Sequence, residues 1–300
     1  MPRHPESVES AISSYLRKME NKGGYSDFTL TNYRIQMASA FRIVTEIQPG
    51  AIPFTVTADT LKETLLWMRK NLATSTQKVY FFYIKELLRD SNNHAYDEIR
   101  VIYPTDIRPN VDWLSLQDAT ALLRADMSPL ERIIIHLELC HGLRKTEVRN
   151  LSLGDIHAES RYFTVLGKGR GGGKYRSVHF HPIFHTVFQD WMDHRSLLTQ
   201  KCRVSSDDDD ALLVYQAGGK LHRYNTGTIA KIVRGISKRT GIEFSSHTLR
   251  RTFGREMFHS GVPLVTIAKI MGHNSTEMTL RYIGIDLDDM ASAMSQFIIR

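Results

Sequence analysis

Residues 161–180 read Arg-Tyr-Phe-Thr-Val-Leu-Gly-Lys-Gly-Arg-Gly-Gly-Gly-Lys-Tyr-Arg-Ser-Val-His-Phe. Arg161–Leu166 and Tyr175–Phe180 are short runs rich in aromatic and β-branched residues, and five of the eight residues between them are glycine. Strand, flexible loop, strand is the pattern of a long hairpin. Almost every other periodic stretch of the chain is helical, so the expected fold is mainly α with a small β-sheet.

Working outward, apolar residues recur at helical spacing in Val8–Met19, Thr29–Ile47, Thr60–Leu72 and Thr76–Leu88, which predicts a helical N-terminal domain over residues 1–105. Tyr103–Asn110 carries two prolines in six residues and no periodicity, so residues 106–111 are expected to be a linker. A second domain is expected over 112–300. Ser115 with Asp118, and Ser128-Pro129-Leu130-Glu131 with its cap, first-turn proline and capping-box acid, each announce a helix before the hairpin. Helical patterns resume at Pro182–Arg195, Thr226–Arg239, Thr248–Ser260 and Leu264–Met271, the last two stopped by Gly261 and Gly272.

At 300 residues with 42% hydrophobic and 24% charged residues, the chain has enough apolar material for one large core or two small ones. No apolar run approaches the ~20 residues of a membrane helix, and no apolar signal segment follows Met1, so neither spanning nor secretion is expected. Two cysteines, Cys140 and Cys202, form neither a disulfide scaffold nor a zinc spacing, which suits a reducing cytoplasm. The net charge of +7 biases the chain toward polyanions, and its distribution says more. Residues 161–176 hold five basic groups and no acid; residues 220–255 hold nine against Glu243 alone. A single basic run is usually a solvated face. Two such runs, separated by the acidic Asp207–Asp210, favour a polyanionic partner.

Four places join a turn signal to chemically able side chains. Arg144 and Glu147 follow Gly142, Lys168 lies in the hairpin loop, His247 and Arg250 sit three apart on one helix face, and His273 follows Gly272 with Tyr282 nine residues on. Each alone has a plain reading: surface ion pair, solvated lysine, helix-cap histidine, or one tyrosine among twelve. Together they are the parts of a phosphoryl-transfer site that needs no metal. Two guanidiniums can fork onto the non-bridging oxygens of a phosphodiester and offset transition-state charge. A tyrosine supplies a nucleophile that conserves bond energy in a phosphotyrosine, a lysine can protonate the leaving oxygen, and histidines can serve as acid, base or hydrogen-bond groups.

This constellation resembles the tyrosine recombinase family, the phage-integrase and Xer-like site-specific recombinases. Gly142–Val148 looks like the family's first arginine box, Gly167-Lys168-Gly169 like its hairpin lysine, His247-Thr248-Leu249-Arg250 like its His-x-x-Arg box, and Met271-Gly272-His273 with Tyr282 like its Leu-Gly-His box and nucleophile. The resemblance spans about residues 110–300; a weaker one links Thr29–Tyr33 and Thr74–Thr76 to the family's helical core-binding domain. It implies Tyr282 as nucleophile, Arg144 and Arg250 as the phosphate clamp, Lys168 as general acid to the 5′ oxygen, His247 and His273 in support, and Glu147 bracing the first arginine or a histidine. It also implies a core-binding domain and a catalytic domain gripping double-stranded DNA from opposite sides, a 3′-phosphotyrosine intermediate, and a homotetramer on two duplexes. No cofactor or metal and no membrane partner are implied, and the expected location is cytoplasmic, at the nucleoid.

This chain departs from the family pattern in three places. Gly171-Gly172-Gly173 lengthens the hairpin loop and makes Lys174 a rival to Lys168 as general acid; Arg251 stands where the family often has histidine, and Met271 replaces the common leucine. Integration and excision of a mobile element is the favoured task, with Xer-type dimer resolution, a type IB topoisomerase-like relaxing enzyme and a non-catalytic DNA-binding protein as alternatives. A metal nuclease built on Asp207–Asp210 is disfavoured, because successive residues of one loop do not converge on an ion. Met290, Met294, Phe297 and Ile298 form one apolar stripe of a C-terminal helix, which must dock either in cis or on a neighbouring protomer.

Overall fold

The computed structural model describes residues 7–103, 112–167, 173–273 and 275–284. Contacts divide the chain into two compact units, Met1–Ile107 and Arg108–Arg300. In the first, α1 (Val8–Lys22), α2 (Asp27–Ile47), α3 (Ala58–Asn71) and α4 (Thr74–Asp90) are followed by a 3₁₀ turn at Ala95–Glu98. Side-chain caps set three of the starts: Ser7, Ser26 and Thr57 each accept from the amide three residues on. The apolar stripes meet in a core of Ile12, Met37, Phe41, Leu61, Met68, Ile84, Leu87 and Leu88.

The second unit begins with α5 (Leu116–Arg124) and α6 (Pro129–Ile135). Both start as their residues predict: Asp118 N–H donates to Ser115 Oγ at 3.0 Å, and Ser128 N–H to Glu131 Oε2 at 2.9 Å, with Pro129 in the first turn. Ile133, Ile134 and Ile135 are all buried, so the C-terminal half of α6 is enclosed by the core. It runs into a π-helical turn, His136–Cys140, and then α7 (Lys145–Asn150). The hairpin forms as β2 (Tyr162–Gly167) and β3 (Lys174–His179), with the two-residue β1 (Ile156–His157) on its outer edge. After α8 (Phe184–Thr199), a second hairpin of β4 (Val214–Ala217) and β5 (Lys220–Arg223) turns through Gly218-Gly219. There are thus two small antiparallel sheets rather than one. The Gly-Gly turn signal for the second was present in the sequence, but its strands are only four residues each. Then come α9 (Thr226–Thr240), α10 (Ser246–His259), α11 (Leu264–Met271) and α12 (Thr276–Ile283).

The core of this unit packs Ile133–Ile135, Leu143, Phe163, Phe184, Trp191, Leu212, Ile229, Ile236 and Leu249. The acidic tract is tied to its own loop: Asp209 accepts from Ser205 and Ser206, and Arg223 pairs with Asp208 and Asp210. Among the described residues no helix is long and apolar enough to cross a membrane, and no three His, Cys, Asp or Glu side chains converge as metal ligands. The stripe from Met290 to Ile298 lies outside the described residues.

The π-turn carries buried titratable groups. His141 Nδ1–H donates to the His136 carbonyl at 2.8 Å while its Nε2 accepts from the His181 amide at 2.9 Å, a pattern only the neutral ring can make. Burial pushes His141 down to about 3 and His136 to about 4, and raises Glu138 to about 8. Between about pH 6.5 and 4.5 the unfolded chain protonates both histidines and ionises the carboxyl, whereas the folded chain does neither. Unfolding therefore takes up one net proton from these groups. Stability is expected to fall by on the order of 1 kcal/mol per pH unit as pH drops through this window. Denaturant titrations of the wild type and H141Q test this; an equal slope in H141Q would refute the contribution of His141.

Candidate active site

The site is built where the ends of α7, α10, α11 and α12 meet β3. Gly142 opens it with φ +62°, and a Cβ there would collide with the Phe253 ring, so the turn into Arg144 requires glycine. Arg144 is the N-cap of α7. Its Nη1 donates to Glu147 Oε1 at 2.9 Å, and its Nη1 and Nη2 reach the Met271 and Gly272 carbonyls at 3.2 Å. Glu147 is 3% exposed. Burial by itself would raise its pKa; the Arg176 guanidinium first, then the Arg144 amide and Arg250, outweigh burial and hold it below the usual carboxylate range.

Arg250, 1% exposed on α10, donates to the Gly142 and Met271 carbonyls and lies 3.1 Å from His273 Nε2. Burial, then the neighbouring Arg144, lower its pKa to about 10, which leaves it charged at neutral pH. Because arginine only donates, His273 Nε2 accepts, and Nδ1–H donates to Thr279 Oγ1 at 2.9 Å. His273 is therefore neutral. Burial and then Arg250, Arg144 and Arg176 push it down to about 4. Its position depends on Gly272, whose φ of +63° ends α11 in a left-handed turn.

Tyr282, on α12, presents its ring edge-on to His273 at 5.2 Å, with the Arg251 and Arg250 guanidiniums 5.3 and 5.8 Å from its centroid. Its Oη is 3.5 Å from His247 Nδ1, at the outer limit of a hydrogen bond. Burial raises the phenol pKa, and Arg250, Arg251 and Arg144 oppose it. Burial, then Arg251, Lys145, Arg250 and Arg144, depress His247.

Arg144, Glu147, His247, Arg250, His273 and Tyr282, read from separate stretches of sequence, thus come together at one place. Lys168 lies outside the described residues. Lys174, its rival, is exposed at the start of β3, opposite Gly167. Arg176 belongs to none of the sequence motifs and joins the site only in the structure. Its Nη1 and Nη2 fork onto Glu147 Oε1 and Oε2, both at 2.9 Å, and its Nε donates to the Ile270 carbonyl at 2.7 Å. One signal was available: Arg176 has the same strand parity as buried Val178, so a charged residue occupies a core-facing position.

The described site holds four guanidiniums (Arg144, Arg176, Arg250 and Arg251), one carboxylate and two neutral imidazoles around a phenol, an excess positive charge suited to a phosphodiester. Residues 113–287 match the model of the phage integrase family. The chain is 25% identical to the tyrosine recombinase XerC of Corynebacterium glutamicum, over 97% of this chain and 92% of that one. It is 24% identical to XerD of Oceanobacillus iheyensis, over 92% and 93%. Among solved structures it resembles XerH bound to its difH substrate in a pre-cleavage complex (TM-score 0.64, 22% identity, 96% of this chain and 84% of that one). It also resembles a lambda integrase dimer bound to a COC′ core site (TM-score 0.69, 15% identity, 98% and 81%). The chain belongs to the phage integrase family, the tyrosine-type site-specific recombinases that cleave and rejoin DNA.

Proposed function

We propose that this chain recombines duplex DNA at a specific site through Tyr282. The phenol oxygen attacks the scissile phosphorus as the bond to the 5′ oxygen breaks, leaving a 3′-phosphotyrosine and a 5′-hydroxyl that attacks the partner strand. The observation that carries this is the placement of Tyr282 against Arg250, His273 and His247. Arg144 and Arg250 hold the non-bridging oxygens; His273, kept neutral, accepts from Arg250 and fixes its plane; His247, neutral and nearest the phenol, receives its proton. Lys168 gives the proton that the departing 5′ oxygen takes up.

The helical first unit adds DNA contacts, and four copies assemble on two duplexes, as the lambda integrase tetramer does on a Holliday junction. The task is integration and excision of a mobile element in the cytoplasm, at the nucleoid. A second reading, resolution of chromosome or plasmid dimers, is favoured by the end-to-end similarity to XerC and XerD. Sequencing the DNA that the protein protects separates these tasks: a site at the ends of a mobile element supports the first, a single chromosomal site the second. Strand exchange between two site-bearing duplexes tests the activity itself, and relaxation of supercoils without exchange would favour the topoisomerase-like alternative.

Lys168→Ala is expected to slow cleavage of an ordinary phosphodiester by about 100-fold. A substrate with sulfur at the 5′ bridging position should restore most of that rate, because a thiolate leaves without a proton. Rescue of Lys174→Ala instead would move the general-acid role to Lys174.

A further inference from the structure

We propose that Arg176 is a positioning residue whose fork on Glu147 keeps that carboxylate from neutralising the phosphate clamp. The inference rests on the clamp roles proposed above for Arg144 and Arg250. Glu147 is buried and faces three guanidiniums: Arg176 on both oxygens at 2.9 Å, Arg144 at 2.9 Å, and Arg250 at 3.6 Å. Buried opposite charges this close attract strongly and exclude other partners. A carboxylate with nothing else to bind would draw Arg144 and Arg250 onto itself, and each hydrogen bond so formed is one withheld from phosphate. Arg176 limits this by occupying both oxygens in the bidentate geometry that only arginine offers, so that Arg144 spends one guanidinium nitrogen on Glu147 and Arg250 stays 3.6 Å away.

Arg176 itself is well placed to stay where it is. Its side chain is 11% exposed, its Nε is anchored to the Ile270 carbonyl, and it packs against the Gly272 turn that precedes His273. A Cβ on Gly272 would come within 3.0 to 3.2 Å of its guanidinium. One side chain from β3 thus holds the carboxylate of α7 and supports the end of α11. It does so two residues after Lys174, on the strand that leaves the lysine loop. Arg176 touches neither Tyr282 nor, in the proposed reaction, the phosphate, so it acts through the groups it holds, Glu147 and the end of α11, and the rescue below isolates the Glu147 route.

The test is a charge-removal rescue in the full-length protein, read as the single-turnover rate of covalent adduct formation on saturating suicide substrate. R176A is expected to lose about 100-fold in that rate while affinity for a half-site changes less than about threefold. In R176A/E147Q the neutral amide no longer draws the clamp arginines, and at least about tenfold of the loss should return. A purely structural Arg176 predicts the reverse, since the double variant has fewer native bonds than R176A; a double variant no faster than R176A overturns the proposal. Should R176A fail to fold, R176K retains the charge without the fork, and R176K/E147Q must exceed R176K by the same logic. Failure of the underlying reading has its own signature: adduct formation at a near-normal rate in R250K and R144K, which would remove both arginines from the clamp whatever Arg176 does.

Discussion

Tyr282→Phe is expected to abolish covalent attachment to DNA while leaving binding intact. The substitution removes one oxygen and keeps the ring that packs edge-on against His273 and under the Arg250 and Arg251 guanidiniums. The helix that carries it, capped by Ser275, loses nothing. Burial keeps the phenol protonated near neutrality, so its nucleophilicity depends on proton removal as the bond to phosphorus forms. No other group of the site replaces that oxygen: His247 and His273 are neutral acceptors and the arginines only donate. A nicked suicide substrate resolved on a denaturing gel reads the result directly. An adduct of ordinary yield with the variant would place the nucleophile on another tyrosine.

Arg250→Lys is expected to reduce cleavage by at least about 100-fold, or about 3 kcal/mol of transition-state stabilisation. Arg250 is 1% exposed and makes three contacts: the Gly142 carbonyl, the Met271 carbonyl and His273 Nε2. An ammonium is a point charge on a longer tether and cannot span three partners while facing a phosphate. Lysine here also loses the hydrogen bond that orients His273. Arg144→Lys is expected to follow the same direction with a smaller loss, because Arg144 is 27% exposed and its position is set largely by its own backbone at the α7 cap. Duplex affinity should change far less than rate in both variants, since phosphate contacts over a whole site share the binding energy. Near-normal cleavage by R250K would remove Arg250 from the clamp.

These expectations begin with residues whose setting is local. Ser128, Pro129 and Glu131 predict the start of α6 because capping acts within one turn. Gly142 and Gly272 mark turns because both take a positive φ. His247 and Arg250 share a face because three residues make most of a helical turn. Elements of marginal length or unusual geometry were harder to read. The π-turn at His136–Cys140 looks in sequence like the continuation of α6. The strands of β4 and β5, at four residues each, are too short for alternation to declare itself.

The amino-acid order by itself determined that this is a mainly helical chain with a glycine-rich hairpin, and that arginines, histidines and a tyrosine sit at turns and helix ends. Caps, periodicity and turn preferences are set by residues within a few positions of one another, and they hold wherever the segment ends up. Only the tertiary structure decided which of the basic residues share the buried carboxylate. Glu147 and Arg176 are 29 residues apart, and Arg176 and Ile270 are 94 apart. Nothing in either neighbourhood encodes the meeting. It follows from packing β3 and the end of α11 against α7, where low dielectric makes an unpaired charge costly enough to select one arrangement of partners.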